Sequence, residues 1–142
     1  MRILVFYVEQ DEDVRTSLEH FLKKRYETVA IECEDEAIRL YRKNHSTIDI
    51  VIVEFMMNHG IRLIKEIEAI NPEQKIITLS GSTVCSCEKG CGFCEENLNR
   101  KRIMKPIVIK ELREAIESFE TAACQLRGEC ETPERSRYEF LF

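Results

Sequence analysis

Four cysteines, Cys85, Cys87, Cys91 and Cys94, fall within ten residues in a C-x-C-x3-C-x2-C pattern, with Gly90 and Gly92 between them. Four thiolates this close, joined by glycines that permit tight turns, can wrap one tetrahedral ion. Zn2+ suits such a site because its closed shell favours a structural role with sulfur ligands. The spacing is not that of a zinc ribbon: the first pair is separated by one residue and the two halves are close together. An iron–sulfur cluster and thiol–disulfide exchange by the Cys91/Cys94 pair are the competing chemistries. The remaining cysteines, Cys33, Cys124 and Cys130, are scattered, Cys33 being expected as a half-buried residue at a helix start, and the total of seven is odd. That count fits a disulfide framework poorly, and in a reducing compartment clustered cysteines read as metal ligands or redox groups.

These residues interrupt a regular alternation of apolar runs and amphipathic stretches. Ile3–Val8 is a continuous apolar run, as for a strand buried on both faces. Asp11 can cap the next helix, whose apolar face is Val14, Leu18, Phe21 and Leu22. A short strand follows at Thr28–Ile31, then a helix over Glu34–Asn44. The next buried strand is Ile48–Val53. A helix over Gly60–Asn71 is stopped by Pro72. A fourth strand is expected at Lys75–Leu79 and a very short fifth at Arg102–Met104. The last helix, Val108 to about Leu126, carries the stripe Ile109, Leu112, Ile116, Phe119, Ala123. Repeated β-α units give a doubly wound parallel sheet, and five strands suit the flavodoxin-like order 2-1-3-4-5. Function then belongs at the carboxyl ends of strands one and three.

The chain has 142 residues, enough for one domain, and a formal charge of −5. That charge disfavours nucleic acid and anionic lipid as partners. Arg100-Lys101-Arg102 is a local basic run, read as a solvated face rather than a nucleic-acid patch. No stretch approaches the ~18 apolar residues of a membrane span, and the first apolar run is too short for a signal peptide. A cytoplasmic domain at 1–126 is expected, with a cysteine-rich insert at 82–99 and a tail at 127–142. The tail ends in the apolar Tyr138-Glu139-Phe140-Leu141-Phe142, which can dock on a neighbouring subunit or on its own domain.

Several segments together resemble the CheY-like receiver domains of two-component response regulators. Tyr7-Val8-Glu9-Gln10-Asp11-Glu12-Asp13-Val14-Arg15 is similar to the family's acidic loop after strand one. Asp49-Ile50-Val51-Ile52-Val53-Glu54-Phe55-Met56-Met57-Asn58 is similar to the string that ends in the phosphoacceptor. Ile76-Ile77-Thr78-Leu79-Ser80-Gly81 matches the fourth strand with its hydroxyl residue. Ile103-Met104-Lys105-Pro106 matches the lysine–proline after strand five. Cys33-Glu34-Asp35-Glu36-Ala37-Ile38 resembles the opening of helix two. The resemblance spans roughly Met1 to Leu126 in one consistent order.

The resemblance implies a phosphorylation site at Glu9, Gln10, Glu54, Ser80 and Lys105, and the departures imply that the site is degenerate. The family's paired acids are here Glu9-Gln10, one of them an amide, and the acceptor position holds glutamate. Glutamate reaches ~1.5 Å further than aspartate, which matters where positioning must be good to about 1 Å. Glu54 is expected to pair with Lys105 as a fixed imitation of the activated state, and Mg2+ to bind weakly or not at all. The family's aromatic switch position holds Arg102. His59, in the loop after strand three, is read as a polar bystander. A non-catalytic, phosphorylation-independent module follows, with a signalling protein or histidine kinase as partner. A homodimer through the helix four–strand five–helix five face is also implied. The alternatives are a receiver phosphorylated on Glu54, a metal or redox sensor through the cysteine cluster, and a flavin-binding flavodoxin. The acidic loop after strand one speaks against the last of these.

Overall fold

A computed structural model describes residues 3–55, 60–81, 97–127 and 140–142. Leu4–Val8 forms β1, every residue of which is buried. Asp11 then caps helix α1, Glu12–Leu22, accepting a hydrogen bond from the Val14 amide at 3.0 Å. This satisfies one of the amides a helix start leaves without a partner inside the helix. Glu27–Ile31 is β2 and Glu34–Asn44 is α2, followed by a 3-10 turn at His45–Thr47. Ile50–Phe55 is β3. Gly60 opens α3, Ile61–Ile70, with φ of 89°, a left-handed conformation that favours glycine. Its amide donates to Glu34 Oε2 at 2.8 Å, which fixes the start of α3 against the start of α2. Lys75–Ser80 is β4, Arg100–Met104 is β5, and Ile109–Arg127 is α4.

The five strands form one parallel sheet in the order β2-β1-β3-β4-β5. Strand side chains alternate faces, and two cores result. Leu4, Phe6, Val51, Val53 and Ile76 pack beneath α2 and α3. Val5, Tyr7, Ile50, Ile52 and Ile77 pack beneath α1 and α4. A buried polar link ties α2 to the sheet: the Tyr41 hydroxyl donates to Gln74 Oε1 at 2.7 Å, and Gln74 Nε2 donates to the Asp49 carbonyl at 3.0 Å. No helix among the described residues is long and apolar enough to cross a membrane.

Three expectations change. The basic run is not a solvated face: Arg100–Arg102 lies in β5, which starts two residues earlier than its apolar pattern suggests. Arg100 is buried and paired with Glu68 of α3, while Lys101 sits 5.2 Å from the Phe119 ring centroid. Ile109, placed at the head of the last helix's apolar stripe, is 37% exposed, whereas Leu112, Ile116 and Phe119 are buried. Cys33 is exposed at the start of α2 rather than half-buried, and makes no side-chain cap. Of the last residues, Phe140–Phe142 lie against this same chain's α2 side.

Candidate acidic site at the strand ends

Parallel pairing brings the ends of four strands to one edge. Val8 pairs with Val53, Glu54 with Leu79, Phe55 with Ser80, and Ser80 with Met104. The residues that close these strands, Glu9, Glu54, Ser80 and Lys105, are therefore neighbours although they span the sequence. Lys105 is seated by its own backbone, whose amide donates to the Ser80 carbonyl at 2.8 Å, and the Lys105–Pro106 peptide is cis.

Lys105 Nζ lies 3.1 Å from Glu54 Oε1, and the Glu54 side chain is only 8% exposed. Charge-assisted bonds of this kind are roughly twice as strong as neutral ones. Glu9 is 1% exposed, and its carboxyl hydrogen-bonds that of Glu54. Two carboxyls can share a hydrogen bond only if one of them carries a proton. Burial, that hydrogen bond and the Glu54 charge push the Glu9 carboxyl up to about 7, against the opposing effects of the Asp11 amide and Lys105. The Tyr7 hydroxyl donates to Glu9 Oε1 at 3.4 Å, and the Asp11 amide to Glu9 Oε2 at 3.3 Å. Burial and the two acids hold the Tyr7 phenol far above its ordinary range. Tyr7 thus supports the site, a role its place inside an apolar run conceals.

Gln10 is exposed on the rim. Its carbonyl and that of Glu9 both accept from Arg15, at 3.3 and 3.1 Å, so the D-V-R turn holds the loop in place. Beneath the rim lies a cavity of about 20 Å³, lined by Glu9, Gln10, Glu32, Glu34, Glu54 and Gly60 among others. Ser80 is half-buried at the end of β4. Arg102 is half-buried in β5 opposite Thr78. The structure thus gathers Glu9, Gln10, Glu54, Ser80 and Lys105 at one edge, with Arg102 two residues back from the end of its strand. The cysteine cluster, Cys85, Cys87, Cys91 and Cys94, lies outside the described residues, as do Asn58, His59 and Cys130. Among the described residues no group of three histidine, cysteine, aspartate or glutamate side chains is arranged to hold a metal ion.

Residues 5–117 match the response regulator receiver domain family. No curated protein matches the sequence significantly. Among solved structures, a response regulator receiver domain protein from Clostridium thermocellum superposes with a TM-score of 0.75 at 20% identity, covering 87% of this chain and 98% of that one. A receiver protein from Pseudomonas putida superposes at 0.67 with 27% identity, covering 83% and 98%. The receiver domain of the hybrid histidine kinase CckA superposes at 0.63 with 23% identity, covering 82% and 97%. The family match covers most of the chain, and the strand order and lysine–proline turn agree with it; this chain belongs to the response regulator receiver domains.

Proposed function

We propose that this receiver signals by binding a protein partner in a state that does not depend on phosphoryl transfer. The observation that carries the reading is the Lys105–Glu54 contact at 3.1 Å. Phosphoryl transfer needs a cation free to meet the incoming charge and a carboxylate free to attack. Here each is engaged by the other. Mg2+ demands near-octahedral oxygen ligands. The donors at this edge are two glutamates and the amide of Gln10, which stands where the family has a second acid and leaves one charge fewer to hold the cation. The chain acts in the cytoplasm as a non-enzymatic module. Its partner is a histidine kinase or another signalling protein, a reading that the receiver domain of CckA, part of a hybrid kinase, supports by analogy. Self-association through β5 and α4 belongs to the same reading.

The test is incubation with a small phosphodonor and Mg2+, read by intact mass. The full chain gains no phosphoryl group, while the Gln10→Asp/Glu54→Asp variant, which restores two acids of family length, does. A gain in the unaltered chain that Glu54→Gln abolishes overturns the proposal and shows a glutamyl-phosphate receiver instead.

A further inference from the structure

The end of α2, on the side of the sheet away from α1 and α4, carries a second set of contacts that the receiver reading does not use. Asn44 is 2% exposed. Its Oδ1 accepts from the Leu141 amide at 2.6 Å, and its Nδ2 donates to the Leu141 carbonyl at 2.6 Å. One amide side chain therefore satisfies both backbone groups of a single residue, as a neighbouring strand would. A bond from the same Nδ2 to the Leu40 carbonyl, at 2.9 Å, holds the Asn44 side chain in place. Lys43 Nζ adds a contact to the Phe142 oxygen at 2.8 Å. Phe140 packs 6.1 Å from the Phe6 ring and joins the core beneath α2 and α3, and Phe142 meets it edge-on at 5.1 Å. The Leu141 side chain itself points to solvent, 54% exposed.

We infer that the Asn44–Phe6 corner is a peptide dock for an extended aromatic-x-aromatic segment, and that its occupant is Phe140–Phe142 of the same chain. The recognition rule follows from the contacts. The dock reads the backbone of the middle residue through Asn44, reads the first aromatic ring through Phe6, and tolerates any side chain at the middle position. Occupation has a structural consequence. Helix α4 packs on one face of the sheet and Phe140 on the other, so a docked segment ties the two faces together.

Amide hydrogen exchange on the full chain tests this. The Leu141 amide is expected to exchange at least about tenfold more slowly than in a free peptide, and equally so after a hundredfold dilution. In Asn44→Leu and in Phe140→Ser it exchanges at the free-peptide rate, while the Phe6 and Ile52 amides in the sheet stay protected. If Asn44→Leu also loses sheet protection, Phe140→Ser, which leaves Asn44 intact, decides. Leu141→Ala retains protection, because only its backbone is read. Free-peptide exchange in the unaltered chain, or protection that survives both disruptive variants, overturns the proposal. Protection that fades on dilution overturns the same-chain occupant and assigns the dock to a second copy.

Discussion

Glu9 is the residue whose chemistry is most displaced by its surroundings. Its folded carboxyl sits near 7, raised first by burial and then by the Glu54 hydrogen bond and charge. A carboxyl raised on folding stabilises the protein in its protonated form; the contribution is complete below the unfolded value near 4.5 and is lost as pH rises through about 7. The unaltered chain should therefore lose stability between about pH 5 and about pH 8 relative to Glu9→Gln, which keeps a neutral hydrogen-bonding group at every pH. The relative loss is at most roughly 2 to 3 kcal/mol. Urea unfolding of both proteins at the two pH values measures it, and parallel pH profiles would show that Glu9 carries no such penalty. Lys105 is the complementary case. Lys105→Met leaves the buried Glu54 without its cation, which should cost about 1 to 2 kcal/mol, discounted because Lys105 is partly exposed. Adding Glu54→Gln should recover most of it, and a double variant no more stable than Lys105→Met would break the link between the two residues.

Strand β5 shows where local pattern and tertiary structure part. The apolar alternation of β1, β3 and β4 and the amphipathic stripes of the helices are local signals, and they locate those elements to within a residue or two. Arg100, Lys101 and Arg102 carry no such signal. What makes them a strand is far away in sequence: Glu68 on α3 for Arg100, and the Phe119 ring on α4 for Lys101. The ring is also 5.8 Å from the Lys75 ammonium, so two lysines approach one aromatic ring. Glu68→Gln should destabilise by about 1 kcal/mol, since it removes the acidic partner of the buried Arg100 guanidinium, the cost being discounted because Glu68 itself is partly exposed. Replacing Arg100 by Met in the same background should restore stability in chemical denaturation, and failure to do so would mean that Arg100 is held by its other contacts. The acidic edge is legible from the expected topology, which brings the carboxyl ends of strands one and three together, while its residue roles come only from family resemblance, because nothing local places Glu9 beside Glu54. Tyr7 is not legible at all, since its ring fits the apolar run and only its hydroxyl serves the site. The cysteine segment is legible as a motif alone. Its spacing predicts one zinc per chain by elemental analysis, reduced by Cys91→Ser.

At the scale of the whole molecule, the sheet is a partition with a core on each side, and β3 is shared by both. Val51 and Val53 face α2 and α3, while Ile50 and Ile52 face α1 and α4. Because neighbouring residues of one central strand serve opposite cores, stripping β3 from its partners β1 and β4 opens both cores at once. A domain of this size normally unfolds as one unit. Ile52→Val, which touches only the α1 and α4 side, should cost about 1 kcal/mol. Native-state hydrogen exchange at the Leu40 amide in α2 and the Leu112 amide in α4 should then register the same loss, about fivefold in protection at each. Were the sheet a passive divider, Leu112 alone would respond and Leu40 would keep its original rate. Equal loss on both sides of the partition is what continuous pairing across β1, β3 and β4 requires.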